Sequence, residues 1–354
     1  MVHFHLFLVS FLLTFFPVKS AVFHHDLIFR ESRKVQFLRS GNLALVPQGV
    51  NDVADSEYIG IVTIGKPSQA FKVRINTQTS NLWIPGIESD ASCNGKSHFN
   101  PEQSDTYRET ERFLDLTYGQ GTLFMDRVSG YMAQDLVTFG AYDAAQLNIP
   151  NSLFGLALTV TSGFTNDTNI DGVLGLGPAV NYDGIYVSPL LNAIKQGLLD
   201  YPLFTVYLEG HGSSSNVPGG RVIATLGNYT LTRKMQVVTD TGTPFIAAPF
   251  YALQGIAAGL GATYDNSTKS YYVPCDTDKG NFDFVIGKHT YSVEPKNYII
   301  NINQGNKCLL AISGLSGYGM GPTWILGTPF MRQFCHVHDI GNGQMGLAKS
   351  LQKT

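Results

Sequence analysis

Charged residues are scarce in this chain. They make up 14% of its 354 residues, whereas an average soluble domain has about a quarter. The 24 Lys and Arg nearly balance the 27 Asp and Glu, and no basic cluster interleaved with aromatic residues occurs. Binding to nucleic acid requires such a basic surface, so we expect no nucleic-acid partner.

Long apolar runs are also missing. The run from Phe4 to Phe16 is shorter than the about 20 residues that a membrane-spanning helix needs. With small residues ahead of Ala21, it predicts that residues 1–20 are a secretory signal. No other segment is longer, so we expect no membrane insertion after signal removal and a secreted or lysosome-like lumenal location.

Two further features fit export. The chain has only four cysteines, and an oxidising compartment would allow a disulfide between them. Three Asn-x-Ser/Thr tripeptides are candidate glycosylation sites; they begin at Asn166, Asn228 and Asn266.

Glycine and aromatic residues, in contrast, are plentiful, with 37 Gly, 17 Tyr and 22 Phe. Short runs of alternating or β-branched residues, separated by turn residues, predict many strands. They are EYIGIVTIG, FKVRIN, RFLDLTYG, PLFTVYL, RVIATLG, SYYVPC, FDFVIG and YSVEP. Only 187–199 and 251–260 have helical patterns. The length suggests about two domains, so we expect an all-β protein of two units.

An internal repeat supports this division. The stretch INTQTSNLWIP at 75–85 and the stretch VVTDTGTPFIAAP at 237–249 both place a polar turn between apolar segments. Each is followed, at a comparable distance, by an apolar element that contains glycine: DGVLGLG from Asp171 and WILG from Trp324. One duplicated unit would give a bilobal protein in which each half contributes one turn to a shared cleft.

From about residue 56 to its end, the chain resembles the pepsin-like aspartic peptidases. The motifs that carry the resemblance are TQTSNLWIP, HFNPEQSDTY, LTYGQG, DGVLGLG, YPLFTVYL, DTGT, VPC, WILG and HVHDIGNGQMGLA. The resemblance implies a bilobal pepsin-like fold, with two related β-barrel-like lobes at 51–185 and 186–354 and a cleft between them. Residues 21–50, with a net charge of +2, resemble the inhibitory prosegment of the family, or are simply a polar leader.

The resemblance also assigns site residues. Asp240 takes one catalytic position and Asn76 takes the position of the other catalytic carboxylate. Their supporting turns are Thr241, Gly242 and Thr243, and Thr77, Gln78 and Thr79. Tyr118 and Gly119 match the flap that closes over a bound peptide. Without a partner, Asp240 could also be a structural turn residue, and Tyr118 a cross-strand aromatic residue.

The Asn at position 76 removes the chemistry of a carboxylate pair. In such a pair, the ionised group deprotonates water and the protonated group donates to the substrate carbonyl. Asn does not titrate, and loss of a positioned acid or base costs about 10² to 10⁴ in rate. Gln78 replaces a glycine of the family, and its side chain would crowd the catalytic water. We therefore expect impaired or absent hydrolysis, with a sequencing slip as the alternative.

Two segments depart from the family pattern in length. About twenty residues separate Gly220 from Asp240, where the family has about thirty more. The segment 220–240 is therefore apparently shortened, either by a real deletion or in an incomplete gene model or splice form. The flap hairpin at 118–135 is a few residues longer than usual.

The remaining cysteines and histidines give weaker signals. Cys275 and Cys308 match the second-lobe disulfide of the family, whereas Cys93 and Cys335 could be free or bridged to each other. His336 and His338 alternate on a presumed strand, but no acidic residue or cysteine accompanies them at ligand spacing. We expect no metal site and no cofactor.

The sequence thus predicts a secreted, monomeric homologue of the pepsin-like aspartic peptidases that binds a peptide or unfolded protein in its interlobe cleft. The competing hypothesis is an active acid endopeptidase that uses Asp240 with an unconventional partner.

Overall fold

The computed structural model describes residues 23, 27–30, 39, 57–118, 126–140, 146–177, 188–206, 220–226, 229–277, 280–315 and 323–350. Strands dominate this part of the chain. They are β1 (Ile28–Arg30), β2 (Glu57–Ile64), β3 (Gln69–Asn76), β4 (Leu82–Pro85), β5 (Arg108–Tyr118), β6 (Asp126–Phe139), β7 (Leu147–Val160), β8 (Gly172–Gly175), β9 (Leu203–Val206), β10 (Gly220–Leu226), β11 (Tyr229–Thr239), β12 (Ile246–Pro249), β13 (Thr263–Asp265), β14 (Ser270–Pro274), β15 (Phe282–Ile286), β16 (His289–Val293), β17 (Ile299–Gln304), β18 (Lys307–Leu310), β19 (Ile312–Leu315), β20 (Trp324–Leu326), β21 (Phe334–Asp339) and β22 (Gln344–Lys349).

Helices are short and few in the same residues. They are α1 (Ser162–Thr165), α2 (Pro189–Lys195), α3 (Phe250–Leu260), α4 (Pro295–Tyr298) and α5 (Thr328–Met331), with 3-10 turns at Ala91–Cys93 and Pro101–Gln103. The predicted all-β class is confirmed, and each of the eight strand patterns falls on an observed strand. The two helical patterns correspond to α2 and α3.

The first half of the chain forms a barrel. Its strands follow the order β1-β2-β3-β8-β4-β7-β6-β5, and β2 also pairs with β6. This additional pairing, at Thr63↔Thr138 and Ile64↔Val137, closes the sheet on itself. Buried apolar side chains such as Phe71, Phe99 and Phe154 fill the interior. Helix α2, capped by the Ser188 hydroxyl, packs its buried face on this same core.

The repeat predicted from the sequence appears in the strand pairing. In the first half, β3 runs parallel to β8, and β4 is antiparallel to β8 and parallel to β7. In the second half, β11 runs parallel to β20, and β12 is antiparallel to β20 and parallel to β19. Each polar turn therefore connects two strands that pair with the same third strand. Strands β3 and β4 flank β8, and strands β11 and β12 flank β20.

Glycine allows the ends of β8 and β20 to lie close to the two polar turns. A Cβ at Gly175, the last residue of β8, would collide with the Thr79 carbonyl oxygen. A Cβ at Gly327, just after β20, would collide with the Thr243 carbonyl oxygen. Only glycine permits this close contact, which explains the glycine in both DGVLGLG and WILG.

Asp240 follows a well-supported strand despite the short segment before it. Strands β10 and β11, which precede it, pair antiparallel with each other. Strand β10 also pairs with β15, and β11 also pairs with β20, so Asp240 emerges from the interior of the seven-stranded sheet β16-β15-β10-β11-β20-β12-β19. Aromatic side chains, including Phe282, Phe284 and Trp324, form the core beneath it.

The cysteines divide into one disulfide and two free thiols. Cys275 and Cys308 are bonded, which links the loop after β14 to β18. Cys93 is buried and Cys335 is partly exposed, and both are free. The possible bridge between Cys93 and Cys335 is therefore not formed.

Part of the leader is described. Strand β1 extends the first sheet by pairing with β2, with Phe29 opposite Tyr58. The Arg39 guanidinium donates two hydrogen bonds, of 3.0 and 2.8 Å, to the Asn301 carbonyl oxygen. Residues 1–20, predicted to be the signal, lie outside the described residues. No helix of the described part is long and apolar enough to cross a membrane.

Two histidines of β21 are buried on one face of the three-stranded sheet β22-β21-β9. His338 stacks on Phe204, with ring centroids 4.2 Å apart. His336 has no hydrogen-bond partner for either ring nitrogen. Burial lowers the pKa of His336 well below its ordinary value and lowers the pKa of His338 to about 3. Within the described ranges, no three His, Cys, Asp or Glu side chains are grouped to hold a metal ion.

Removal of the disulfide should destabilise the protein. The bond closes a loop with a sequence separation of 33, and such a constraint on the unfolded chain is worth about 3 to 4 kcal/mol. We expect Cys275→Ala with Cys308→Ala to lower the free energy of unfolding by about this amount in urea titrations. The matched control, Cys335→Ala, should have little effect. Alkylation of Cys275 and Cys308 in the unreduced native protein would contradict the bond.

Acid should also destabilise the fold through the buried histidines. Their folded-state pKa values lie below the ordinary 6.5, so their stabilising contribution is complete above about pH 6.5 and declines as the pH falls towards 3. Each contributes a slope of about 1.4 kcal/mol per pH unit over this range. The variant His338→Phe keeps the stacked ring and should make the slope shallower in unfolding experiments. An equal slope in the variant and the wild-type protein would contradict the assignment.

Candidate active site

The two polar turns meet through a buried hydrogen bond. The Thr77 backbone N–H donates to the Thr241 hydroxyl oxygen at 3.1 Å, across 164 positions of the chain. Both residues are 1% exposed. The predicted supporting residues of both halves are therefore brought into one site.

Asp240 is held firmly at the end of β11. Its Oδ1 accepts a hydrogen bond from the Gly242 backbone N–H at 2.8 Å, and its Oδ2 accepts one from the Thr243 hydroxyl at 2.6 Å. Burial raises the pKa of the carboxyl group, while these hydrogen bonds and the positive charge of Arg74 oppose the increase. Asp240 thus caps its own turn and is also a carboxyl group with a raised pKa.

Asn76 takes the equivalent place at the end of β3. Its Oδ1 accepts hydrogen bonds from the backbone N–H groups of Gln78 and Thr79, at 2.8 and 2.9 Å. Its Nδ2 lies 2.6 Å from the point where a Cβ of Gly242 would be, and Asp240 Oδ1 lies 3.4 Å from the same point. The amide nitrogen of Asn76 and the Asp240 carboxyl group therefore both lie beside Gly242.

The threonine hydroxyl groups of the two turns differ in their hydrogen bonds. In the second half, the Thr243 hydroxyl donates to the Asp240 oxygen that the backbone does not use. In the first half, the Thr79 hydroxyl is buried and makes no hydrogen bond to Asn76. The Asn76 oxygen is already engaged by the backbone, so its other terminal atom is a donor that cannot accept from Thr79. Gln78, beside them, is partly buried.

Tyr118 is fixed next to the first turn. The Trp83 indole N–H donates to the Tyr118 hydroxyl at 2.8 Å, and Phe164 makes edge contacts with both rings. Burial raises the pKa of Tyr118, and both Arg74 and the Thr79 hydroxyl lower it in part. Tyr118 thus lies close to the groups around Asn76. Gly119 is outside the described residues.

A buried ion pair, not recognised from the sequence, lies beneath this aromatic group. Arg74 Nη2 is 3.3 Å from Asp167 Oδ2, and the side chains are 11% and 0% exposed. The Arg74 guanidinium also lies over the Phe164 ring. Lys96 donates to the carbonyl oxygens of Asp167 and Ile170 at 2.5 and 2.7 Å. Charges on the wall of the site therefore come from Arg74, Lys96 and Asp167.

One sequence signal could have revealed the pair. In FKVRIN, Arg74 is two positions before Asn76, and side chains two apart in a strand share a face. A charged residue on the same strand face as Asn76 is therefore expected to lie close to the reacting groups. Asp167 appeared only as the middle residue of a glycosylation tripeptide, and nothing local indicated that it is fully buried.

Two of the three candidate glycosylation sites lie within the described residues. Asn166 and Asn266 are exposed, which suits an acceptor. Asn228 is outside the described residues.

The model of the family "Eukaryotic aspartyl protease" matches residues 57–223 and 217–350 of this chain. The chain belongs to the eukaryotic aspartyl protease family. The two matched segments meet at 217–223, close to the beginning of the segment predicted to be shortened. The pepsin-like fold follows from this membership together with the strand pairing.

Individual relatives agree with the family. "Aspartic protease 6" of Caenorhabditis elegans is 38% identical over 383 residues, covering 94% of this chain and 96% of the relative. "Aspartic protease 2" of Necator americanus is 30% identical over 386 residues, covering 89% and 88%. "Pepsin A" of Bos taurus is 31% identical over 350 residues, covering 88% and 89%. The first two alignments are longer than the 354-residue chain, so these proteases have internal residues that this family member lacks.

Loss of the Asp167 charge should destabilise the site. Removing one partner of a buried ion pair leaves the other charge uncompensated, at a cost of about 3 kcal/mol or more. We expect Asp167→Asn to lower the free energy of unfolding by about this amount in urea titrations. Arg74→Met in the same chain should restore part of the loss.

The control is the exposed pair between Arg127 and Asp115, with side chains 62% and 54% exposed. Arg127→Gln should leave stability close to that of the wild type, because exposed pairs contribute little. Equal effects of Asp167→Asn and Arg127→Gln would contradict a structural role for the buried pair.

Proposed function

We propose that this chain binds a peptide or an unfolded protein segment in a cleft between its two halves and does not hydrolyse it. The observation that carries the proposal is the Asn76 amide, which lies with Asp240 beside Gly242 where the resemblance to the family implies a second carboxylate. Membership of a protease family supports a peptide as the bound molecule.

The chemistry of the site supports binding without cleavage. Hydrolysis by a carboxylate pair requires one group that accepts a proton from water and another that donates one. Asp240 can fill only one of these roles at a time, and the Asn76 amide can fill neither. The partly buried Gln78 adds a side chain where the family has none. The geometry that would hold a peptide, including Tyr118 and its Trp83 partner, does not depend on a charge at position 76.

Several features support a secreted protein. The Cys275–Cys308 bond suits an oxidising compartment, and exposed Asn166 and Asn266 suit glycosylation there. Residues 1–20 have the composition of a signal. We also propose that residues 21–50 act as a prosegment, which is supported by the pairing of β1 with β2 and by the contact of Arg39 with Asn301.

The second candidate function is acid endopeptidase activity that depends on Asp240 with an unconventional partner. It is favoured by the intact hydrogen bonds around Asp240 and by the names of the relatives, which are proteases. The acid sensitivity expected from His336 and His338 disfavours work at low pH.

Restoring the missing groups should restore activity. Asn76→Asp alone should produce little hydrolysis of a denatured protein substrate at about pH 5, because Gln78 still crowds the water. Asn76→Asp with Gln78→Gly should produce clearly more, and the two gains should not add independently because both residues act on the same water. The expected gain for the double variant over the wild type is about 10² or more.

Two controls accompany this assay. Adding Asp240→Asn to the active double variant should abolish its hydrolysis.

Wild-type protein should bind a substrate-like peptide in calorimetry but should gain little affinity from a statine-type hydroxyl group, which is recognised by two carboxylates. A double variant that folds but stays inactive would identify the short segment before Asp240 as a further lesion. Hydrolysis by wild-type protein that is lost in Asp240→Asn would favour the second candidate.

A further inference from the structure

We propose that Asn76 is a self-modification site: Asp240 promotes hydrolysis of the Asn76 side-chain amide, which converts Asn76 into Asp and supplies the missing carboxylate. This inference rests on the proposed function, because it treats the chain with Asn76 as the inactive form. The substrate of this reaction is the Asn76 side chain, and the catalytic group is Asp240.

The Asn76 carbonyl group is placed as a reacting amide would be. Its Oδ1 accepts two backbone N–H groups, from Gln78 at 2.8 Å and from Thr79 at 2.9 Å. Two aligned N–H donors on one carbonyl oxygen stabilise the negative charge that develops when water attacks the carbonyl carbon. The Asn76 side chain is partly exposed, so water can reach it.

The leaving nitrogen and the acid lie beside the same glycine. Asn76 Nδ2 and Asp240 Oδ1 lie 2.6 and 3.4 Å from the point where a Cβ of Gly242 would be. A carboxyl group with a raised pKa is suited to proton transfer at moderately acidic pH. Asp240 is also held by Gly242 and Thr243, so its orientation is fixed.

The step balances with water as the only co-reactant. Asp240, as a carboxylate, takes a proton from a water molecule while the water oxygen forms a bond to Cγ of Asn76. The π electrons move to Oδ1, which the N–H groups of Gln78 and Thr79 stabilise. When the carbonyl re-forms, the Cγ–Nδ2 bond breaks, Asp240 returns its proton to the nitrogen, and ammonia leaves. Residue 76 is then an aspartic acid.

The spontaneous route of asparagine deamidation is blocked at Asn76. Spontaneous loss of ammonia from asparagine proceeds by attack of the next backbone nitrogen on Cγ, through a cyclic imide that opens to a mixture of aspartate and isoaspartate. At Asn76 that nitrogen belongs to Thr77, which is 1% exposed and whose N–H donates to the Thr241 hydroxyl. Direct hydrolysis gives aspartate alone, so the products distinguish the two routes.

The surroundings also favour the product. Arg74 shares a strand face with residue 76, and its positive charge already lowers the pKa of Asp240. An opposite charge nearby favours an ionised carboxyl group. In addition, an aspartate oxygen in place of Nδ2 would accept from the buried Thr79 hydroxyl, as the Asp240 oxygen accepts from Thr243.

The experiment follows each asparagine by peptide mapping with mass spectrometry. Full-length protein, purified with Asn76 intact, is incubated at about pH 6, and samples are digested at intervals. Asn81 is the internal control, because it belongs to the same turn. Asn94 and Asn342 precede glycine and report the spontaneous route through their isoaspartate.

We expect Asn76 to convert to aspartate without isoaspartate, faster than Asn81. The isosteric variant Asp240→Asn should slow conversion at Asn76 by about 10² to 10⁴ without changing the rates at Asn94 and Asn342. Circular dichroism of this variant establishes that it is folded, and Thr243→Val, which removes one hydrogen bond to Asp240, provides a second variant in which conversion should be slower.

Conversion at Asn76 no faster than at Asn81, an equal rate in Asp240→Asn, or an isoaspartate mixture at residue 76 would each overturn the proposal. Peptidase assays on the same samples keep this test separate from the proposed function. Hydrolysis of substrate by protein whose Asn76 is intact would refute the proposed function whatever the mapping shows. Absence of conversion refutes only the self-modification.

Discussion

The rest of this site depends on the close contact between each polar turn and a glycine at the end of the strand beside it. Gly175 and Gly327 bring β8 and β20 against the carbonyl oxygens of Thr79 and Thr243. This contact shapes each turn so that its backbone N–H groups point at the side chain of residue 76 or 240. The buried bond between Thr77 and Thr241 then joins the two turns. None of these interactions requires a charge at residue 76, which explains how the scaffold persists with an amide there.

The same scaffold gives the amide and the carboxyl group different chemistry. The backbone N–H groups donate to the Asn76 oxygen, and its nitrogen lies beside Gly242, as Asp240 does. Asn76 thus supplies an amide where a carboxylate pair would have a second acid. The buried pair of Arg74 and Asp167 adds charge to the wall beside it. Of residues 76 and 240, only Asp240 can transfer a proton.

Much of this architecture could be predicted from the sequence, and the reasons are physical. Alternation and turn residues locate strands such as β2 and β15, because half-buried strands must alternate. The repeated turn and glycine motifs predict a duplicated unit, and the matching pairings of β3 with β8 and of β11 with β20 agree with it. Burial of Arg74, Asp167, His336 and His338 could not be predicted, because alternation assigns a face to a residue and does not reveal what covers that face. The free state of Cys93 and Cys335 likewise depends on distances that only the fold determines.

The central claim is that Asp240 lacks a titrating partner because residue 76 is an amide. The most direct measurement is hydrolysis of a denatured protein at about pH 4 by wild-type protein whose intact Asn76 has been verified by mass spectrometry, compared with Asp240→Asn prepared in the same way. We predict that both proteins show the same background rate. A wild-type rate well above that of Asp240→Asn, with Asn76 still an amide at the end of the assay, would contradict the claim.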